Sequence, residues 1–262
     1  MTCRVCGSAA RRVFAKEANV SCGDYFAGRR LYPEDVGSFA LLECSACGFA
    51  WFEAFNTWTD EDFRQKIYNA DYHLCDPPVL EERPARLAEW LLPLVRGKSL
   101  LDYGGGEGLL ARKLAAGGIA ARSFDPYYGE ETLPDAQFDI VTSFEVVEHV
   151  PDQDWLFGAM ARLVKPDGLL IFSTLLRPAR LDPDWWYASP RNGHAVFHTE
   201  ESLAIVCARA NLSLRSLSRE MHVAAFDPAR LGAAAGWTAP RVSDTVRYGF
   251  SEGWHQMTEV QS

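Results

Sequence analysis

The sequence predicts an α/β fold: a Rossmann-like sheet with helices on both faces, preceded by a small module built on four cysteines. Three observations carry this reading. Short apolar runs alternate with helical patterns from Lys98 to Phe226, the rhythm of strand-helix-strand units. The run Lys98-Ser-Leu-Leu-Asp-Tyr-Gly-Gly-Gly-Glu-Gly108 empties a strand into a glycine turn that opens a helix, the arrangement of a nucleotide-type site. Cys3-x-x-Cys6 and Cys44-x-x-Cys47 form two knuckles, each followed at once by a glycine, Gly7 and Gly48.

The knuckles come first. Two thiolates on one tight turn supply half a tetrahedron and a second turn completes it, so Cys3, Cys6, Cys44 and Cys47 are expected to hold structural Zn²⁺ in a zinc-ribbon module over residues 1–58. A hairpin within Tyr25 to Leu42 is expected to fill the space between the knuckles. Cys22, Cys75 and Cys207 are left over, with Cys207 on a helical pattern as a small core residue. Glu61 to Tyr72 has the spacing of a helix, Asp76-Pro-Pro78 breaks the chain, and a further helix over Leu80 to Val95 leads into the next domain. Residues 59–96 thus form a helical linker.

The glycine loop decides the ligand. Gly104, Gly106 and Gly108 follow one another two apart, with Asp102 and Glu107 beside them. A pyrophosphate at the helix end would meet two carboxylates, whereas a cationic ligand suits the loop. S-adenosyl-L-methionine carries a sulfonium and an ammonium, and glycines allow the backbone to approach it closely. A second strand, Ile119 to Phe124, ends at Asp125, placed to accept from both ribose hydroxyls. Phe138 to Phe144 is the next strand, a helical stretch runs to Lys165, Lys165-Pro-Asp-Gly168 is a turn, and Leu169 to Thr174 is another strand. A helix over Glu200 to Ala210 and strands at Leu212 to Leu217 and Met221 to Phe226 are expected to complete seven strands, the last pair antiparallel. The domain is bounded at 97–227, with an insertion at 177–198 and a tail at 228–262.

Four ordered motifs, LLDYGGGEG, the acid in SFDP, FDIVTSFEVVEHVPD and the pair KPDG, LLIFST, resemble the class I S-adenosylmethionine-dependent methyltransferases. With the cysteine module and the segment IYNADY, the chain looks like the zinc-containing sugar C-methyltransferases. That resemblance implies methyl transfer to a polar small-molecule acceptor, a sugar or nucleotide sugar, at oxygen or carbon. Where those enzymes carry His-Glu-His, this sequence has Asn192-Gly-His194. The candidate cofactor contacts are Asp102, Tyr103, Gly104, Gly106, Gly108, Asp125, Pro126, Tyr127, Phe144 and Glu145. Between Asp125 and Asp139 there is no room for a further helix and strand, so Tyr127, Tyr128 and Glu131 are offered as adenine contacts from a shortened loop.

In-line transfer demands alignment and exclusion of water, and a hydroxyl nucleophile must lose its proton. Polar residues just after strands are therefore the candidate catalytic groups: His194 first, then His149, His198 and Glu145. Trp185, Trp186, Tyr187 and Asn192 in the insertion are expected to form a lid over the acceptor, since aromatic faces stack on sugars and bases.

Composition bounds the alternatives. The chain has 262 residues, 48% hydrophobic and 23% charged, with a formal net charge of -9, an ordinary globular balance that repels polyanions. No run approaches the roughly 20 apolar residues of a membrane span, and the N-terminus lacks the apolar core of an export signal. A cytoplasmic location is expected, with no membrane partner, and the seven cysteines are read as thiols and ligands rather than disulfides. An RNA methyltransferase with a zinc-knuckle recognition module is the second reading, opposed by the acidic balance. A non-catalytic cofactor-binding scaffold is the third.

Overall fold

The computed structural model describes residues 1–75, 82–128 and 132–241. Its main sheet has six strands in the order β5-β4-β6-β7-β10-β9. Strand β4 (Ser99–Tyr103) is central, flanked by β5 (Ala120–Phe124) and β6 (Phe138–Ser143), both parallel to it. β7 (Val164–Ser173) continues the parallel set, and β10 (Met221–Ala225) runs antiparallel to both β7 and β9 (Ser213–Ser216). The expected seventh strand is absent among the described residues. Its place at the β5 edge would need a helix and strand between Asp125 and Asp139, and that stretch is too short. The Lys165-Pro-Asp-Gly168 turn is taken up as an irregularity of β7, where the partner of β6 jumps from Val164 to Leu169.

The central strands are buried on both faces and read as near-continuous apolar runs. Helices α3 (Glu82–Leu91) and α4 (Leu109–Ala116) cover one face with Leu87, Leu91, Leu110 and Leu114 against Leu100, Ile140 and Ile171. Helices α5 (Gln153–Leu163) and α6 (Glu200–Arg209) cover the other. Their starts are set by local chemistry: Asp152 accepts from Trp155 N, and Thr199 and Ser202 cap each other reciprocally.

The N-terminal module is a second sheet of four strands, β1-β2-β3-β8. β1 (Ala10–Glu17) and β2 (Ser38–Cys44) pair antiparallel, and β3 (Ala50–Phe52) follows. Between β1 and β2 lies a short helix, α1 (Cys22–Ala27), so Tyr25 sits on a helix and not in the expected hairpin. Ser21 caps that helix with Asp24, which stops β1 from simply turning back. The fourth strand, β8 (Val196–Phe197), comes from the far end of the chain and pairs with β3. One apolar core therefore runs from Val5, Leu41, Phe49 and Phe52 through Tyr187 and Phe197 to Leu101, Phe157 and Phe172.

Helix α2 (Asp60–Lys66) stops earlier than its spacing suggests, with Ile67 as its cap and a turn at Asn69 to Asp71 behind it. Asn69 bonds Asp71 N with its side chain, a competing local geometry that ends the helix. The Asp76-Pro-Pro78 break, Glu131 and the tail aromatics Tyr248, Phe250 and Trp254 lie outside the described residues. Among the described residues no helix is long and apolar enough to cross a membrane.

Candidate functional site

A cavity of about 720 Å³ opens at the carboxyl ends of β4, β5 and β6, where ligands bind in sheets of this kind. One end is the glycine loop. Gly104 has φ +73°, and a Cβ there would stand 2.4 Å from Val146 Cγ2. A Cβ on Gly105 would stand 2.5 Å from Asp102 Oδ2 and 2.3 Å from Ser123 Oγ. The loop is thus packed to the limit from behind and bare in front.

Two carboxylates frame it. Asp102 is buried, accepts from Thr142 Oγ1 at 2.8 Å, and is pushed up to about 7 by burial. Asp125 accepts from Gly106 N at 2.9 Å through one oxygen and from Tyr127 N at 2.8 Å through the other. It therefore ties the glycine loop to the shortened loop while facing the cavity. Helix α2 clamps that loop: Arg64 donates to Pro126 O at 2.8 Å and lies over the Tyr127 ring, whose other neighbour is Tyr68 at 4.7 Å between centroids.

The other end is built after β6 and β7. Glu145 has φ +56°, a left-handed conformation that costs energy for a residue with a Cβ. It is held there by Ser173 Oγ, which accepts from Glu145 N and donates to its carboxylate, both at 2.8 Å. A single 3-10 turn, Val147–His149, follows. Gln153 donates to Val147 O, and Ala195 N donates to Glu148 O at 2.7 Å, so the insertion and α5 fix this turn from both sides. His149 and His194 meet edge to face at 4.9 Å between ring centroids. His194 Nδ1 donates to Tyr187 O at 2.6 Å, which leaves the lone pair on Nε2. Burial lowers His194 to about 4 and pushes His149 well below the ordinary histidine value, so both rings are neutral.

The structure brings most of the sequence candidates into this one cavity: Asp102, Tyr103, Gly104, Gly106, Asp125, Pro126, Tyr127, Phe144, Glu145, His149, Trp186, Tyr187, Asn192 and His194. Gly108 instead opens on a neighbouring depression beside Ser123. His198 is outside the cavity. It is fully buried between Gln153 Oε1 and Ser202 Oγ, so both ring nitrogens are engaged and it has no route to an acceptor. Trp185 is half-buried and packs on Phe197 at the edge of the core. Asn192 is turned to support, accepting from Cys22 N at 2.7 Å and facing Cys75 O.

The insertion is a wall and not a lid. Residues 187–198 are buried throughout. Arg191 N donates to Val20 O, and the Arg191 side chain donates to Ile67 O and Asn69 Oδ1, which stitches the N-terminal module and the α2 segment together. Tyr68 and Glu148 belong to the site region without having been singled out by the sequence. Both lay inside segments quoted as motifs, IYNADY and FEVVEHVPD, without a role of their own.

The four knuckle cysteines converge: their sulfurs all lie within 4.8 Å of one another, with Cys3 and Cys47 at 3.8 Å and Cys6 and Cys44 at 3.3 Å. Tetrahedral thiolates at the usual zinc distance stand about 3.8 Å apart. Val5 N and Ala46 N point at the sulfurs of Cys3 and Cys44, bonds that favour thiolate. This donor set fits a closed zinc site.

Comparison with known proteins places the fold. A family model described as a methyltransferase domain matches residues 78–217, more than half of the chain, and the chain belongs to that family. The ubiquinone biosynthesis O-methyltransferase of Thiobacillus denitrificans is 35% identical over 133 residues, covering 39% of this chain and 56% of that protein. The enzyme of the same description from Salmonella paratyphi A is 37% identical over 106 residues, covering 31% and 44%. The chain spans about half the length of the curated relatives it matches. Among solved structures, the 1,6-didemethyltoxoflavin-N1-methyltransferase of Burkholderia thailandensis has a TM-score of 0.46 at 18% identity, covering 74% of this chain and 96% of that one. A mitomycin 7-O-methyltransferase has 0.47 at 16%, covering 63% and 57%.

Proposed function

We propose that this chain transfers the methyl group of S-adenosylmethionine to a hydroxyl of a polar small molecule. The observation that carries the reading is the continuity of one cavity from the glycine loop and Asp125 to Tyr187, His149 and His194. At the first end Asp125 supplies negative charge, and Asp102 and Asp125 supply hydrogen-bond acceptors, which suits a ligand with an ammonium and two ribose hydroxyls. At the second end, neutral imidazoles and the Tyr187 and Trp186 rings suit an acceptor that is polar at its reacting oxygen and flat or sugar-like elsewhere. The sulfonium supplies the methyl, and the chain aligns the oxygen with it and excludes water.

Oxygen as the nucleophile is favoured because the matched relatives are named as O-methyltransferases, and because only one histidine stands where the sugar C-methyltransferases have two. A sugar or nucleotide sugar remains the proposed acceptor class, supported by the aromatic wall. The four cysteines are proposed to hold structural zinc, supported by their spacing. The RNA reading has no support from the charge of -9.

The test is calorimetric titration of the full chain with S-adenosylhomocysteine, repeated with Asp125→Ala. Binding in the wild type, weakened at least about tenfold by the substitution as befits loss of charge-assisted bonds, is the expected result. Absence of binding to the folded wild type would overturn this reading and leave a non-catalytic interaction scaffold, with the fold but not the cofactor, in its place.

A further inference from the structure

We propose that Glu148, His149 and His194 form a second metal site, separate from the cysteines, that holds a divalent cation at the acceptor end of the cavity. One ligand atom from each of the three lies within 4.8 Å of the others. His149 Nε2 stands 3.7 Å from Glu148 Oε1, the span of two ligands on one ion rather than of a direct bond. Two imidazoles and a carboxylate are a donor set for borderline ions such as Zn²⁺ or Fe²⁺, and for the harder Mn²⁺.

A second, independent observation points to a missing partner. Glu148 is wholly buried, yet neither carboxylate oxygen completes a hydrogen bond of ordinary geometry, and His149 Nδ1 has only the backbone of Asn192 and Gly193 beside it. The Tyr187 hydroxyl, which accepts from Leu175 N, and the Thr174 hydroxyl are the side chains that lie beside the carboxylate. A buried carboxyl with only two hydroxyls beside it is costly to ionise, a cost that a bound cation removes. The ligands are also oriented as metal ligands are. His194 gives its Nδ1 proton to the Tyr187 carbonyl and keeps the Nε2 lone pair, and the Glu148 carbonyl is pinned by Ala195 N. Glu145 adds negative charge nearby, Arg83 faces the two histidines, and Lys16 also acts on His194.

The site is open on one side. His149 and His194 line the cavity, while Glu148 stands behind them. Protein ligands on one side leave positions for water or an acceptor hydroxyl, the form of a catalytic rather than a structural metal site. Resting on the methyl-transfer reading, the inference gives the acceptor a chemical property: an oxygen able to ligate the ion. Its O–H bond then breaks with the proton passing to solvent, the oxygen pair forms the O–CH₃ bond, and the sulfonium sulfur keeps the pair of the broken C–S bond. His194, ligated through Nε2 and protonated at Nδ1, then acts as a ligand and not as the base.

The experiment counts ions without using S-adenosylmethionine, so its failure leaves the methyl-transfer reading intact. Full-length wild type, Glu148→Gln and His194→Ala are dialysed to equilibrium against Zn²⁺ and, separately, Mn²⁺, and metal per chain is measured with circular dichroism as the check on folding. The near-isosteric Glu148→Gln guards against a result that only reports unfolding. The expected result is one ion fewer per chain in Glu148→Gln than in wild type for at least one of the two metals, with the cysteine-held ion kept in both. Equal counts in folded wild type and Glu148→Gln, for both metals, would overturn the proposal. So would loss of the extra ion from Cys44→Ala but not from Glu148→Gln.

Discussion

His198 and His222 are buried histidines with no part in the cavity, and each sets an acid limit on the fold. His198 lies between Gln153 and Ser202, and His222 between Ser216 Oγ and Thr174 O. Burial lowers His198 to about 3 and His222 to about 4. Below the ordinary histidine value of about 6.5 the unfolded chain takes up a proton that the folded chain refuses. The stability these groups permit is therefore complete above that value and is lost as pH falls toward 4 and then 3, at about 1.4 kcal/mol per pKa unit. Asp102 acts in the opposite sense. Raised to about 7, it favours the folded state more as pH falls from neutral toward the ordinary carboxylate value. Site-resolved measurement separates the two. The imidazole resonances of His198 and His222 should stay flat between pH 8 and 5, and His222→Gln should lose stability less steeply below pH 6.5. A titration of either ring near 6.5 in the folded protein would contradict this account.

At the level of elements, Arg177 joins the end of β7 to the second knuckle. Its side chain is 4% exposed and donates to the Glu43 carboxylate on β2, to Gly48 O at 3.0 Å, and to the carbonyls of Pro178 and Ala179. Gly48 has φ +69°, and Thr199 Oγ1 donates to Cys47 O, so the knuckle is held by the start of the insertion and by the cap of α6. Arg177→Met should destabilise the chain by about 3 kcal/mol, the scale of breaking a buried ion pair, and should speed loss of the zinc proposed for the knuckles to a chelator. Urea unfolding measures the first and metal release the second. Legibility divided at this level too. The glycine loop, Asp125 and both knuckles were readable because each is a local signal within a few residues. β8 was not, since two residues carry no period and its partner lies far away in sequence. The same holds for the histidines: His194 and His198 both follow β7 in the sequence, and only the pairing of Val196 and Phe197 with β3 decides which one faces the cavity.

At the scale of the whole molecule, the module boundary expected at residue 58 is crossed by a sheet and by a core. Removal of residues 1–58 takes away β1, β2 and β3 and exposes Phe197, Tyr187 and Phe157. The fragment 59–262 should therefore lack native side-chain order, seen as collapsed near-ultraviolet dichroism and amide dispersion, and should not bind S-adenosylhomocysteine. A fragment that folds and binds at wild-type affinity would mean that the two modules are independent.

The pairing of β8 with β3 also sets a schedule. On the ribosome, β1 to β3 emerge early, but the strand that closes their sheet is made only after most of the chain. At ordinary elongation rates the delay is roughly 7–30 s. Throughout it β3 presents an open edge of backbone donors and acceptors, the kind of edge that recruits the wrong partner. Early capture of an ion by the knuckles would hold β1 and β2 in register during that wait, so a cell short of zinc should accumulate this protein in aggregates formed during synthesis, before any finished molecule has had the chance to unfold.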